Sequence, residues 1–124
     1  MMKKILVVDD QIEIRELIEA TLRIGDYLIF QAGTGPEAIE IAEREKPDLM
    51  FLDVMMPEGG MDGFDVCTQL KNNPETAGIT IIMLTALGQD EDKERGSAAG
   101  ADDYFTKPFS PLKLMNKVDE IMSK

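Results

Sequence analysis

The chain has 124 residues, a formal net charge of −11 and a sequence pI near 4.3. This length suits one domain, which can bury roughly two-thirds of the surface of its unfolded chain. The excess of acidic groups repels phosphates over most of the surface, so direct binding of nucleic acid or anionic membranes is disfavoured. The sequence contains no histidine, which excludes His-based acid–base catalysis, Ser-His-Asp triads and His-ligated zinc.

The amino terminus and the single cysteine predict a cytoplasmic protein. The apolar run at residues 5–8 is followed by two aspartates and is too short for a signal sequence or a membrane span. Cys67 cannot form an internal disulfide, and we expect it to be a buried, unreactive thiol. The acidity predicts a monomer or, at most, a weak dimer.

Five short apolar runs recur along the chain, each followed by a longer amphipathic stretch: KILVVD, YLIFQA, LMFLD, TIIMLT and DYFT. The runs at residues 5–8 and 79–84 are almost continuously apolar, which is typical of strands covered by helices on both faces. The predicted fold is therefore α/β, with five βα units that form a five-stranded parallel sheet and place helices on both of its faces.

The first two helices carry clear signals. Thr34 followed by Glu37 is a capping-box pattern at the start of the second helix. This helix must stop near Lys46, because Pro47 disfavours a helical conformation in the residue before it. The predicted buried face of the first helix comprises Ile14, Leu17, Ile18 and Leu22.

The remaining helices differ in the strength of their signals. Asp62 is predicted to cap a third helix that runs to Leu70. The segment GQDEDKERGSAA has few apolar anchors, so the fourth helix is predicted to be weakly held and able to move. Ser110 caps the last helix, with Pro111 at its first position. The apolar stripe of this helix comprises Leu114, Met115, Val118, Ile121 and Met122.

Polar residues follow four of the five predicted strands: Asp9 and Asp10 after the first, Asp53 after the third, Thr85 after the fourth and Lys107 after the fifth. The carboxyl ends of parallel strands meet at one edge of the sheet, where ligands of open α/β sheets bind. Each residue alone could merely begin a turn, end a strand or be solvated. Their joint occurrence predicts a functional site at this edge.

Three carboxylates at one edge require a cation, because two unit charges about 4 Å apart repel by about 4 kcal/mol at an effective dielectric near 20. Lys107 supplies one positive charge, and the remaining oxygens suit a magnesium ion with Asp10 and Asp53 as the favoured side-chain ligands. Asp53 could act as a nucleophile that forms an aspartyl phosphate. Thr85 could donate its hydroxyl to the bound phosphoryl group.

The motifs VVDD, FLDVMMP, MDGFDV, MLTA and GADDYFTKPF resemble the receiver domain of bacterial two-component response regulators, in particular stand-alone receivers similar to chemotaxis regulators. The resemblance spans the whole chain, residues 1–124, and implies a doubly wound (βα)5, flavodoxin-like fold. It implies that Asp53 is the phosphoacceptor and that Asp9 and Asp10 are the acidic pair that holds magnesium. The main-chain carbonyl of Met55 would be a further ligand.

The resemblance also implies a switch. Lys107 would pair with a phosphoryl oxygen, Thr85 would follow the phosphoryl group, and Tyr104 would change rotamer with it. The alternative for Tyr104 is a half-buried strand aromatic whose hydroxyl group lies in water. The bond between Lys107 and Pro108 resembles the cis peptide of the family.

The implied function is that of a signalling switch and not of an enzyme with conventional turnover. A histidine kinase or phosphotransfer protein would donate its phosphoryl group to Asp53, and the surface of the fourth helix, fifth strand and fifth helix would then bind a downstream protein. The side chains of Met55 and Leu87 are apolar and cannot orient an attacking water, which predicts slow autodephosphorylation. One departure is the loop at residues 58–60, where the family usually has a single residue.

Two other classes of function compete with this interpretation. A phosphatase of the haloacid dehalogenase type also uses a strand-end aspartate, but it has a DxD motif, whereas position 55 here is Met. An interaction module with a vestigial acidic rim would keep the fold and lose the chemistry. The run at residues 33–35 is more simply a turn and helix start than a phosphate cradle, because no GxxxxGK pattern is present. A stand-alone regulator is expected, with a following output domain as the alternative.

Overall fold

The computed structural model describes residues 2–56, 60–86, 90–107 and 110–122. The side chains of residues 86, 90–93 and 96 lie outside this description. The apolar runs of the sequence become five strands: β1 (Lys3–Val8), β2 (Tyr27–Ala32), β3 (Leu49–Asp53), β4 (Thr80–Ala86) and β5 (Asp103–Lys107). The intervening segments become five helices: α1 (Ile12–Leu22), α2 (Gly35–Glu45), α3 (Gly63–Lys71), α4 (Asp90–Ala99) and α5 (Pro111–Met122).

The strands form one parallel sheet in the order β2-β1-β3-β4-β5. The predicted five-stranded parallel sheet is therefore confirmed. The chain passes from β2 back across β1 to β3, so the direction of winding reverses between β1 and β3. In open α/β sheets such a reversal creates a crevice at the carboxyl ends of the two strands, and ligands bind there.

Each central strand buries side chains on both faces of the sheet, because successive residues of a strand point to opposite sides. The first core cluster takes these strand residues to the side of α2, α3 and the end of α4: Leu6, Val8, Met50, Leu52, Ile81 and Met83. The second takes the alternate residues to the side of α1 and α5: Ile5, Val7, Leu49, Phe51, Ile82 and Leu84. The prediction of helices on both faces is confirmed.

One prediction about the first helix is wrong. Leu17 is 43% exposed, whereas Ile18 and Leu22 of α1 are buried and Ile14 is partly buried against the second core cluster. The buried face is the single row of residues 14, 18 and 22, which recur at four-residue spacing and lie one above another. Leu17 lies beside this row and outside the contact with the sheet.

The helix ends follow their sequence signals with one difference. Thr34 Oγ1 accepts a hydrogen bond from the Glu37 amide at 3.3 Å, as predicted. Glu37 does not complete a capping box with Thr34, because its Oε1 accepts from the Gly33 amide at 2.7 Å, one residue earlier. Helix α2 ends at Glu45, as predicted from Pro47, and Lys46 caps it in the left-handed region with a φ of 47°.

Helices α3 and α5 also begin at their predicted caps. Asp62 and Asp65 form a full capping box at the start of α3, and this helix continues one residue beyond Leu70 to Lys71. Ser110 Oγ accepts from the amide of Lys113 at 3.1 Å at the start of α5. These bonds satisfy amide groups that the first turn of a helix leaves without a partner.

Helix α4 is held mainly by polar contacts in the part of it that the structure describes. Ala99 is its one buried side chain among those described. Arg95 lies over the ring of Phe64, 4.1 Å from the centroid, and its Nη2 is 3.5 Å from Asp62 Oδ2. Ser97 Oγ and the Tyr104 hydroxyl are hydrogen-bonded, which joins α4 to β5. This sparse apolar anchoring agrees with the weak helix signal in the sequence.

The single cysteine lies in the core of the domain. Cys67 is buried, its Sγ lies 3.5 Å from the carbonyl oxygen of Ala99, and burial raises the pKa of its thiol to about 11. The prediction that Cys67 is buried is confirmed, and the raised pKa lowers the fraction of thiolate on which reactivity depends. Over the described ranges, the helices are all too short or too polar to cross a lipid bilayer.

Candidate functional site

Four neighbouring strands bring the predicted site residues to one edge of the sheet. Asp53 is the last residue of β3 and Lys107 the last residue of β5, while Thr85 is the penultimate residue of β4. Asp9 and Asp10 follow β1, whose last residue pairs with Leu52. The apolar register of the strands therefore determines that these polar groups converge, since every strand stops at the same edge.

Lys107 lies between two buried carboxylates. Its Nζ is 2.7 Å from Asp9 Oδ2 and 3.2 Å from Asp53 Oδ1. Asp9 is fully buried, Asp53 is buried, and Lys107 is partly buried. One ammonium group therefore faces two carboxylates in a site largely removed from water, and it leaves a net negative charge that burial makes costly.

The two members of the acidic pair have different surroundings. Both carboxylate oxygens of Asp9 have partners, because Oδ2 binds Lys107 and Oδ1 accepts from the Gln11 amide at 3.0 Å. Asp10 is exposed. One ligand oxygen each from Asp9, Asp10 and Asp53 lies within 4.8 Å of the other two. These oxygens are close enough to one another to be candidate ligands of a single Mg²⁺ ion, which prefers oxygen donors.

Burial controls the proton affinity of Asp53. Its pKa is raised to about 6, first by burial and then by the charge of Asp9, while Lys107 opposes the rise and Asp10 adds a little to it. Burial disfavours the charged form of Lys107, but Asp9 and Asp53 outweigh this effect and raise its pKa. The lysine is therefore cationic at neutral pH, and Asp53 carries an energetic penalty when ionised without a further cation.

The proposed switch residues lie on adjacent strands beside this charge cluster. Thr85 is buried and pairs with Thr106 of β5, while Tyr104 pairs with Met83 of β4. The Tyr104 ring is partly buried against the first core cluster, and its hydroxyl group bonds to Ser97 of α4. The ring thus matches a half-buried strand aromatic, but its hydroxyl group has a protein partner.

Several predicted features fall in or next to segments outside the description. Met55 is 73% exposed, and the predicted ligand is its main-chain carbonyl, because Mg²⁺ prefers oxygen to a thioether sulfur. Gly60 has a φ of 74°, which glycine adopts without strain. Residues 58 and 59 of the long loop, together with Leu87 and the Lys107–Pro108 peptide bond, lie outside the described residues.

Sequence reasoning missed Gly63, the first residue of α3. Its amide donates to the carbonyl of Val54 at 2.9 Å, so α3 begins against the residue that follows Asp53. A Cβ atom at Gly63 would fall on the carbonyl oxygen of Asp53 and lie 3.0 Å from Val54 Cα. One signal in the sequence could have identified it. The first position of a helix ordinarily tolerates a side chain, so a glycine directly after the cap Asp62 indicates a close contact.

Comparison with known proteins agrees with this geometry. The family model described as response regulator receiver domain matches residues 5–119. The transcriptional regulator PhoP of Bacillus subtilis, named for alkaline phosphatase synthesis, is 45% identical over 124 residues, covering 100% of this chain and 50% of that protein. The probable transcriptional regulator ycf27 of Cyanophora paradoxa is 45% identical over 98% of this chain and 49% of its own length.

Solved structures agree as well. A putative response regulator from Chloroflexus aurantiacus superposes with a TM-score of 0.92 at 35% identity, and the match covers 100% of both chains. The chemotaxis response regulator CheY4 of Vibrio cholerae gives a TM-score of 0.89 at 33% identity over 98% of this chain and 99% of its own.

The doubly wound parallel sheet and its acidic edge define a flavodoxin-like signalling domain. The chain belongs to the response regulator receiver domain family. Receiver domains are signalling proteins, not conventional enzymes, and they interact with histidine kinases and downstream effectors. The chain spans about half the length of the curated relatives it matches.

The close approach at Gly63 predicts a strong effect of one added methyl group. Gly63→Ala should lower the free energy of unfolding by about 1–3 kcal/mol, because the new Cβ meets main-chain atoms that cannot rotate away. Gly78→Ala is the matched control, since nothing lies within 4 Å of its Cβ position. It should leave stability unchanged or raise it by up to about 1 kcal/mol. Equal urea midpoints for the two variants would contradict this account.

The raised pKa of Asp53 predicts a pH-dependent stability difference in metal-free protein. The unfolded carboxyl ionises near pH 3.8 and the folded one near pH 6, so stability is lost as the pH rises between these values. Asp53→Asn should therefore become more stable than the unsubstituted protein, by up to about 3 kcal/mol above pH 6, at about 1.4 kcal/mol per pKa unit.

Urea unfolding in EDTA from pH 4 to pH 8 would measure this difference. Glu40→Gln removes one charge from an exposed side chain and should change stability by less than about 0.5 kcal/mol throughout. Added Mg²⁺ should reduce the difference in unfolding free energy between Asp53→Asn and the unsubstituted protein, because the ion stabilises only the protein that keeps Asp53. A less stable Asp53→Asn variant at pH 7.5 would show that the ionised carboxylate is not under strain.

Proposed function

We propose that residues 1–124 act as one receiver domain in which Asp53 accepts a phosphoryl group from a phosphohistidine on a histidine kinase or phosphotransfer protein. The observation that carries the proposal is the position of Lys107, whose Nζ lies within hydrogen-bond distance of both Asp9 and Asp53 in a buried site. The negative charge left at this edge is complementary to a divalent cation. The exchange takes place in the cytoplasm.

The acidic cluster fits Mg²⁺. Asp10 and Asp53 would hold the ion directly with the main-chain carbonyl of Met55, and Asp9 would support it from the buried side. When bound, Mg²⁺ neutralises charge on the transferring phosphoryl oxygens. The donor set consists of oxygens alone, which is the ligand type that Mg²⁺ prefers.

In the transfer, a carboxylate oxygen of Asp53 attacks phosphorus as the bond from phosphorus to the donor imidazole nitrogen breaks. The electron pair of that bond stays on the imidazole, and an oxygen–phosphorus bond forms the acyl phosphate. Lys107, already 3.2 Å from Asp53 Oδ1, donates to a phosphoryl oxygen instead. Because Lys107 also binds Asp9, it stays in place while its second partner changes.

Release of the phosphoryl group to water would be slow without a partner phosphatase. The side chain of Met55 is apolar and 73% exposed, so it offers no group to orient an attacking water. The protein therefore undergoes autocatalytic phosphorylation and slow autodephosphorylation as a switch. A phosphatase of many esters would instead release inorganic phosphate with repeated turnover.

The output of the switch passes through Thr85 and Tyr104. A hydrogen bond from the Thr85 hydroxyl to the phosphoryl group would draw β4 toward Asp53 and vacate space for the Tyr104 ring. The ring would then lose its hydrogen bond to Ser97, which is one of the described contacts that hold α4. The surface of α4, β5 and α5 would thus bind a downstream protein differently in the two states. Transcriptional output, as in the longer relatives, would require a further domain.

Phosphorylation at Asp53 can be tested directly. In Mg²⁺ and acetyl phosphate, intact-protein mass spectrometry should show the gain of one phosphoryl group, and EDTA or Asp53→Asn should abolish it. Asp26→Asn removes an exposed carboxylate and is the control, with unchanged modification. An unmodified wild-type protein, or equal modification of Asp53→Asn, would leave the module with a vestigial rim as the better description.

The switch is tested by separating phosphorylation from its response. With Mg²⁺ and beryllium fluoride, the NMR signals of the Tyr104 ring should shift in the wild-type protein, because the ring changes rotamer. Thr85→Val keeps the shape of the side chain without its hydroxyl and should bind beryllium fluoride but lose most of that shift.

Thr80→Val, at the opposite end of β4, is the matched control and should respond like the wild type. Ring shifts of equal size in the Thr85→Val protein would refute the coupling between the two residues.

A further inference from the structure

Arg15 reaches from α1 to the peptide group that joins the acidic pair. Its Nη1 donates to the main-chain carbonyl of Asp9 at 2.6 Å, and its Nε donates to Gln31 Oε1 at 3.1 Å. That carbonyl belongs to the peptide plane between Asp9 and Asp10. Rotation of this plane would redirect both side chains, so the guanidinium bond determines how the two carboxylates point.

The second partner of Arg15 is itself held in place. Gln31 Nε2 donates to Glu19 Oε1 at 3.0 Å, and Glu19 Oε2 accepts from Arg23 at 2.7 Å. The hydrogen bond from Gln31 and then the bond from Arg23 lower the pKa of Glu19, so this acceptor stays ionised. The amide of Gln31 therefore presents its oxygen to Arg15 in a fixed orientation.

The space for the guanidinium depends on Gly33. A Cβ atom at this position would lie 3.1 Å from Arg15 Nη1, closer than a carbon and a nitrogen ordinarily pack. Asp9 is further held by its amide, which donates to the carbonyl of Ala32 at 3.2 Å. The turn after β1 is thus held to β2 by a main-chain hydrogen bond and by the side chain of Arg15. Arg15 is the charged donor among these bonds.

We propose that Arg15 is a positioning residue for the magnesium site. It touches neither the ion nor the phosphoryl group. It holds the Asp9–Asp10 peptide in the orientation that aims Asp10 at Asp53, and its permanent positive charge offsets part of the repulsion among the carboxylates. This inference rests on the proposed function, since it concerns the same site.

The test measures Mg²⁺ affinity apart from phosphorylation. Arg15→Met keeps the length of the side chain and removes its donors, and Mg²⁺ binding to the unphosphorylated protein, measured by titration calorimetry, should weaken by about 10–100-fold. Arg15→Lys, which can reach one partner but not both, should fall between this variant and the wild type. In acetyl phosphate, the Mg²⁺ concentration for half-maximal rate should rise by the same factor, while the rate at saturating Mg²⁺ stays within about threefold.

Arg44→Met is the control, because it removes the same charge from an exposed side chain of α2 whose partners, Glu40 and Glu45, belong neither to the acidic turn nor to the bonds that hold Arg15. Its Mg²⁺ affinity should stay within about twofold of wild type. If Arg15→Met fails to fold, Gln31→Met replaces it in the test, because this variant removes the acceptor that orients Arg15. Mg²⁺ binding should then also weaken, but by a smaller factor.

The outcomes separate the two proposals. Unchanged Mg²⁺ affinity in Arg15→Met, or in Gln31→Met where the first variant does not fold, overturns the role of Arg15 even if Asp53 is phosphorylated. A lower saturating rate with unchanged affinity also overturns it, because Arg15 would then act on the transfer itself. If the wild type binds Mg²⁺ but gains no phosphoryl group while Arg15→Met binds Mg²⁺ weakly, the inference stands and the phosphoacceptor proposal fails.

Discussion

The site depends on a single lysine that serves two buried carboxylates. Lys107 bonds to Asp9 at 2.7 Å and to Asp53 at 3.2 Å, and no rearrangement of one ammonium group can neutralise both. The remaining charge is distributed unequally, because Asp9 has a full set of partners while Asp53 has a pKa raised to about 6. An added cation would therefore stabilise the ionised form of Asp53, the candidate nucleophile, more than that of Asp9. Ion binding and the reactivity of Asp53 are linked in this way.

The fold maintains this imbalance by making the edge of the sheet rigid. Both neighbours of Asp53 in sequence are buried, and its strand lies between β1 and β4 with side chains packed on both faces. Closely packed interiors resist small displacements, so the carboxylate cannot move outward to regain water. Gly63 adds a second constraint, because α3 begins in contact with the main chain of Asp53 and Val54. The packing of the central sheet thus offsets the unfavourable free energy of burying this charge.

The sequence predicted the strands and the converging polar residues because both depend on strong local patterns. A continuous apolar run must be covered on both faces, and the polar residue that ends it must lie at the edge. Leu17 was predicted wrongly because helical spacing alone does not say how wide the contact with the sheet is. Arg15 gave no signal, since an arginine on an amphipathic helix is ordinarily solvated. Its bond to the carbonyl of Asp9 depends on Gln31 of β2 and on Gly33 just after that strand.

The weak anchoring of α4 is consistent with its role in the proposed switch. An exposed ion pair such as that of Arg95 contributes about 0–1 kcal/mol, its contact with the Phe64 ring about 0.5–1 kcal/mol, and a neutral hydrogen bond such as that of Ser97 about 1 kcal/mol. These described contacts together supply only a few kcal/mol. A hydrogen bond to a charged phosphoryl group contributes about 1.5–3 kcal/mol, which is of the same size. A helix packed by a broad apolar face would not respond to so small a change, whereas the proposed switch acts on an α4 whose described anchoring is sparse.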